Sequence, residues 1–322
     1  MPLTAPQGAL RMPARQPYDA FLSTVIRVTP LSPHFTRITF GGTELAHFGT
    51  DGLDQRIKLL LPRADGSFPE LGLFDAERPA MQDWYRRWRE LPDPERNAIR
   101  TYTIRAVRPE VAEIDIDFVL HGTEGPASAW AQHARIGDEL IVIGPDARAT
   151  EPAGGIEWNP GAARRVLLAG DETAAPAICA ILESLPADFT GDAIIEVPVA
   201  EDALAVTHPA GVRVRWLGRG DTPHGTLLEP AVQEWGALRS AAATQTAVDA
   251  HAGAAPGAEP EAVDPDEVLW EVPEEVAGEE YAWLAGEAGV VTRIRRHLVR
   301  DLGIDRRAVA FMGYWRIGRA EG

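Results

Sequence analysis

Two short segments constrain this chain more than anything else in it: Arg-Thr-Tyr-Thr at residues 100–103 and His-Gly-Thr-Glu-Gly-Pro-Ala-Ser at residues 121–128. The first lies in a β-rich stretch and offers a cation, an aromatic ring and hydroxyls at successive positions. Alternate residues of a strand share a face, so Arg100 and Tyr102 point one way and Thr101 and Thr103 the other, unless the strand ends or bends there. The second segment closes a strand and opens a helix. Pro126 suits the first helical turn, and Ser128 adds a hydroxyl there. A helix N-terminus preceded by glycine is a natural anion site. An aromatic plate beside a pyrophosphate cradle is what a dinucleotide flavin needs.

On these residues the chain resembles the siderophore-interacting proteins, the ferric-siderophore reductases of the ferredoxin–NADP reductase superfamily. Residues 100–105 look like that family's flavin motif, and residues 117–130, Asp-Phe-Val-Leu-His-Gly-Thr-Glu-Gly-Pro-Ala-Ser-Ala-Trp, like its second. Leu-Ala-Gly-Asp-Glu-Thr-Ala-Ala-Pro at 168–176 and Gly-Tyr-Trp-Arg at 313–316 match two more. The resemblance covers roughly residues 20–318 with one interruption. It implies an FAD site in which Arg100 pairs bidentately with the pyrophosphate, Tyr102 stacks on the isoalloxazine and Thr103 hydrogen-bonds the ring near its reactive nitrogen. It places Asp117, Val119, Leu120 and His121 along the cofactor, with His121 on the ribityl or adenylate part. Gly125, Pro126, Ala127 and Ser128 form its phosphate turn, and Thr173 touches the flavin or a nicotinamide. The length of the site favours FAD over FMN.

The chain has 322 residues, more than one core usually serves, so two domains are expected. After a flexible tail at 1–17, strand-like runs at 21–29, 35–41, 54–61, 100–107, 113–121 and 138–143 make an antiparallel flavin-binding β-barrel over 18–147. Met81, Trp84, Tyr85, Trp88 and Leu91 fall at helical spacing in 79–91, an inserted helix covering the barrel. A Gly/Pro-rich connection follows at 148–163. Residues 164–322 then read as a doubly wound parallel-sheet nucleotide-binding domain. Its strands lie at 166–170, 194–199, 212–217, 281–286 and 308–315, and its helices near 174–185, 225–238 and 290–302. Residues 240–266 are rich in Ala, Gly, Pro, Thr, Asp and Glu and read as a disordered acidic insertion.

The net charge of −17 argues against nucleic acid as a partner. No apolar run reaches a membrane span, and the N-terminus lacks the apolar core of a secretory signal, so a cytoplasmic protein is expected. The only cysteine, Cys179, excludes an internal disulfide and a cysteine-ligated cluster. It sits in an apolar helical run and reads as a buried hydrophobe. His208, His224, His251 and His297 are scattered without ligand spacing, and no nucleophile elbow is present.

Lys58, the only lysine, and Arg316 are candidates for guiding an anionic ferric chelate to the flavin. Asp171 and Glu172 stand where the superfamily has glycines in its nicotinamide loop, and carboxylates there disfavour a pyrophosphate. The resemblance implies a ferric-siderophore reductase that takes electrons from NADH or NADPH. Two alternatives are a flavoprotein fed by ferredoxin, with the arginines of 293–300 as a docking patch, and a non-catalytic siderophore-binding protein.

Overall fold

The computed structural model describes residues 15–318 apart from 50–51, 124, 248–269 and 274–277. Its first half is built on one seven-stranded antiparallel sheet. The strands are β1 (Tyr18–Pro30), β2 (Phe35–Gly41), β3 (Arg56–Leu60), β4 (Ile99–Thr103), β5 (Ala106–Arg108), β6 (Glu113–Val119) and β7 (Glu139–Pro145), in the order β4-β3-β7-β1-β2-β6-β5. The two-residue period of β3 feeds two cores. Ile57 and Leu59 join Phe21, Phe40 and Phe118 inside the sheet, while Leu60 packs outside with Ile99, Ile141 and Ile143. Helix α1 (Met81–Glu90) covers that outer face with Trp84 and Trp88, so the aromatic stripe is core packing.

The stretch 100–107, read as one strand, is two. β4 stops at Thr103 and pairs with β3, whereas β5 pairs with β6 at the opposite edge, Ala106 beside Asp115. The sheet therefore curls until its ends meet. The Tyr102 ring on β4 lies 4.7 Å from the Phe118 ring on β6 and closes the seam. Helix α2 (Pro126–His133) plugs the barrel with Ala127 and Ala131.

The second half is a six-stranded sheet ordered β10-β9-β8-β12-β13-β11, from β8 (Arg165–Gly170), β9 (Thr190–Val197), β10 (Gly211–Gly218), β11 (Trp270–Glu271), β12 (Glu280–Glu287) and β13 (Val309–Trp315). All pairings are parallel except that of the short edge strand β11. β8 is apolar throughout its buried length, as a strand covered on both faces must be. The strand order reverses between β8 and β12, the switch point at which such sheets bind ligands. Helices α3 (Ala175–Ser184), α4 (Leu228–Ala247) and α5 (Ala288–Arg296) pack on it. Glu196 of β9, fully buried, accepts the N–H groups of Gly225 (2.7 Å), Leu227 (2.9 Å) and Leu228 (2.9 Å) and so caps the start of α4.

Three boundaries differ from the sequence reading. α4 continues to Ala247, past the expected start of the insertion at 240, and the rest of 240–266 lies outside the described residues. α5 stops at Arg296 and passes into a π-helical turn, His297–Asp301. Of the tail 1–17, residues 1–14 lie outside the described residues, but Gln16 is tied down: its amide donates to Pro79 O (3.1 Å) and its carbonyl accepts from Met81 N–H (2.9 Å).

The halves are joined by core and by carboxylates. Phe35 and Val119 leave the barrel to join Val166, Ala174 and Ile178 in one apolar cluster. Asp202 accepts from the Ser32 hydroxyl (2.7 Å) and the His34 N–H (2.9 Å). Asp54, just before β3, accepts from the N–H groups of Glu157 (3.1 Å) and Trp158 (3.1 Å) in the connection and from the Trp283 indole of β12 (3.0 Å). It is 2% exposed, and burial lifts its carboxyl from 3.8 to about 6. The folded protein thus binds this proton more tightly than the unfolded chain. The contribution of Asp54 to stability is fullest below about pH 4 and is lost as pH rises through 6. The stability difference between wild type and Asp54→Asn should therefore shift by up to about 3 kcal/mol between pH 4 and pH 7, measured by urea unfolding. A flat difference across that window would show that Asp54 titrates normally.

Candidate functional site

The barrel seam is where the sequence motifs converge. Tyr102 rests on Phe118, and Phe118 in turn lies 5.8 Å from the Trp130 ring of α2, so one aromatic row runs from β4 to the helix after β6. Arg100, on the same face of β4 as Tyr102, is half-buried, and its Nη1 donates to the carbonyl of Ile99 (2.8 Å). Helix α2 begins at N-cap Gly125, and no side chain caps it. Its first-turn N–H groups have no partner within the helix. A Cβ at Gly125 would lie 2.7 Å from Cε1 of the exposed His121, so the ring closes directly over the glycine. An anion cradle, a guanidinium and an aromatic plate at one seam are the parts a dinucleotide flavin requires, and these residues fit it.

The remaining candidates hold the frame. Asp117, 1% exposed, is gripped bidentately by Arg37 of β2 (2.7 and 2.8 Å), its direct cross-strand neighbour. Val119 is in the interdomain core. The Leu120 N–H donates to His34 O (2.8 Å). Ser128 is 1% exposed: its hydroxyl donates to Gly122 O (2.7 Å) and accepts from His121 N–H (3.0 Å). Asp117, Val119 and Ser128, read from the sequence as lining the cofactor, have side chains engaged with the strands, the core and the loop, each buried among partners of its own.

Thr103 is the last residue of β4, buried, and stands opposite Arg56 of β3. The Arg56 guanidinium covers the Trp270 ring of β11 (4.5 Å), and Trp270 stacks on Tyr314 of β13 (6.0 Å). The C-terminal Gly-Tyr-Trp-Arg segment is thereby linked to the start of β3, opposite the end of β4. Lys58 lies two residues beyond Arg56, opposite Thr101 and on the face away from Tyr102. Arg56 and Trp270 were missed in the sequence. Arg56 is one strand arginine among many bases, and Trp270 belongs to a two-residue strand next to the insertion.

At the switch point the turn after β8 is filled by its own carboxylates. Asp171 accepts from Thr173 N–H (2.9 Å) and Oγ1 (2.5 Å), from Glu287 N–H (2.7 Å) and from the Trp315 indole (2.8 Å). Thr173 is thus engaged with Asp171. Burial, aided by the neighbouring Glu172 charge, raises the Asp171 carboxyl to about 6. Burial would also raise Glu172, but His224 (3.0 Å) and a bidentate Arg219 (2.6 and 2.7 Å) outweigh it and bring it to about 2. Cys179 is buried, and burial pushes its thiol to about 12, so it is un-ionised at neutral pH. On α5, Arg293 is paired with Glu229 (2.8 Å) and Arg295 with Glu271 (2.7 Å), which halves the basic patch read there. Among the described residues no helix is long and apolar enough to cross a membrane.

Comparison with known proteins identifies the family. Residues 24–149 match the family described as the siderophore-interacting FAD-binding domain, and residues 163–318 match the siderophore-interacting protein family. An uncharacterized protein of Mycobacterium tuberculosis is 32% identical over 312 residues, covering 96% of this chain and 93% of its own. The ferric vibriobactin reductase ViuB of Vibrio cholerae is 31% identical over 211 residues, 65% of this chain and 70% of its own. The crystal structure of the siderophore-interacting protein SipS from Aeromonas hydrophila superposes with a TM-score of 0.61 at 31% identity, covering 95% of this chain and 94% of that one. With both halves matched, the chain belongs to the siderophore-interacting protein family, and its barrel is that family's FAD-binding domain.

Proposed function

We propose that this protein is a cytoplasmic ferric-siderophore reductase that uses FAD to convert chelated Fe(III) to Fe(II) and so release the iron. The observation that carries this reading is the seam itself: Arg100 and Tyr102 on β4, joined through Phe118 to Trp130 of α2, a helix whose N-terminus no side chain caps. The likeness to a ferric vibriobactin reductase supports the substrate class. Bound FAD supplies two-electron acceptance from a nicotinamide and one-electron return to ferric iron. Hard oxygen chelators hold Fe(III) far more strongly than Fe(II), so reduction suffices for release.

The chain's own residues bind and orient. Arg100 and the α2 amides hold the pyrophosphate, Tyr102 supports the ring, and Thr103 hydrogen-bonds the ring at the end of β4. Lys58 and Arg316 supply positive charge for an anionic chelate. NADH or NADPH is the donor in this reading. The paired arginines of α5 weigh against a ferredoxin docked there.

Arg100→Ala should weaken FAD binding by about 1.5–3 kcal/mol, the scale of a charged hydrogen bond, in a fluorescence titration of the apoprotein. Unchanged affinity would remove Arg100 from the pyrophosphate. Lys58→Ala should raise the apparent KM of dithionite-reduced protein for anionic iron(III)–EDTA at low salt, with Fe(II) trapped by a ferrous chelator. The effect should shrink as salt rises, because exposed charges are screened. Wild-type kinetics at low salt would exclude Lys58 from the substrate path.

A further inference from the structure

The Asp-Glu-Thr turn and the C-terminal Tyr-Trp-Arg segment are far apart in sequence, and neither acquires a clear role from cofactor binding. They meet at the switch point. Asp171 Oδ2 lies 2.8 Å from the Trp315 indole nitrogen and 2.7 Å from the Glu287 backbone nitrogen, while Oδ1 takes both donors of Thr173. Four donors therefore converge on one carboxylate that is 3% exposed. The space was made for it: Gly286 has φ +138°, and a Cβ there would come within 2.6 Å of Oδ2. Glu172 acts next door. It holds Arg219 and His224, and the His224 ring stands edge-on to the Trp315 indole, 4.7 Å away at 77°. The indole is thus fixed at its N–H by one acid and along its ring by a histidine that the other acid orients. Where a glycine-rich turn would open outward to a phosphate, this turn faces inward and grips a side chain of its own protein.

We infer that Asp171 is a positioning residue: by accepting the Trp315 indole N–H it sets where the next residue, Arg316, stands at the mouth of the substrate site. This rests on the reading of Arg316 as a substrate-guiding base. The row Trp315's neighbour Tyr314 makes with Trp270 and Arg56 ties the same segment to the start of β3, which pairs with the end of β4, so a shift of the segment moves Arg316 relative to that strand pair. Asp171 itself lies behind the indole and meets no substrate.

The test uses full-length, FAD-loaded protein reduced with dithionite, with oxidation by anionic iron(III)–EDTA followed by stopped flow and cationic ferrioxamine B as the charge control. Arg316→Ala should raise the apparent KM for iron(III)–EDTA and not for ferrioxamine. Asp171→Asn should reproduce that selective rise, roughly three- to tenfold, as expected from the loss of about one hydrogen bond, with kcat and FAD content retained. Trp315→Phe keeps an aromatic ring but removes the N–H together with part of the indole, so it should raise the KM for iron(III)–EDTA at least as far as Asp171→Asn, and it carries the test if that variant fails to fold. In the Arg316→Ala background neither change should add to the KM, because both act through the same residue. If Arg316→Ala raises the KM while Asp171→Asn and Trp315→Phe leave it at the wild-type value, the positioning role is wrong and the substrate reading stands. Additive effects in the Arg316→Ala background also overturn the positioning role. If Arg316→Ala itself changes nothing, the substrate reading falls, and the inference with it.

Discussion

Buried carboxylates that accept several N–H bonds organise this molecule. Asp54 draws the connection and Trp283 onto the barrel, Asp202 holds the β1–β2 turn, Glu196 caps α4, and Asp171 takes Trp315. Each is 3% exposed or less. A charge removed from water is costly unless its lone pairs are filled, and here three or more donors fill each one. Such bonds to an ionised acceptor are the stronger kind. They are also directional, which apolar packing is not. The apolar cluster of Phe35, Val119, Val166 and Ile178 supplies the drive to join the halves, and Asp54 and Asp202, which bond across them, set the register in which they join.

The seam follows from the same frame. A seven-stranded antiparallel sheet must either leave its edges open or curl. Splitting the flavin strand after Thr103 lets one continuous chain occupy both edges, β4 at one and β5 at the other. Tyr102 and Phe118 then meet across the gap. The residues that the family motif assigns to the cofactor are therefore also the ones that close the barrel. The side chains of Asp117 and Ser128 hold the frame. A bidentate Arg37–Asp117 pair aligns β2 with β6, and Ser128 ties His121 and Gly122 to α2.

Much of this was legible in the sequence. The alternating strands, the apolar β8 and the aromatic stripe of α1 all carry their periodicity in short windows. The two-strand break at 104–105 was not, because Ile104 and Arg105 are neither glycine nor proline, and the turn is imposed by pairing to β6. The helical extent of α4 was hidden as well: residues 240–247 are Ser, Ala, Thr and Gln, which score as linker by composition yet include good helix formers. The role of Asp171 lies in contacts with Glu287 and Trp315, and no local pattern announces a partner so distant in the chain. His224 reads as one scattered histidine until its neighbours Glu172 and Trp315 are seen.

The acidity of the chain bears on its substrate differently once the acids are placed. A net charge of −17 taken as a smooth surface field would turn an anionic chelate away. Several of the acids are inside, however, and Glu172 and Asp117 are matched by Arg219 and Arg37 at hydrogen-bond distance. At physiological ionic strength a charge is felt over about 8 Å. What an approaching anion meets is thus decided by the few side chains within that radius of the flavin edge. Arg56 and Lys58 stand two residues apart on one face of β3; Arg56 pairs with Glu157 (3.4 Å) and covers Trp270, which stacks on Tyr314, two residues before Arg316. If Lys58 and Arg316 guide an anionic chelate as we propose, a local basic rim on an acidic body would admit it at one place and disfavour it elsewhere, and placing Arg316 would be as consequential for capture as possessing it.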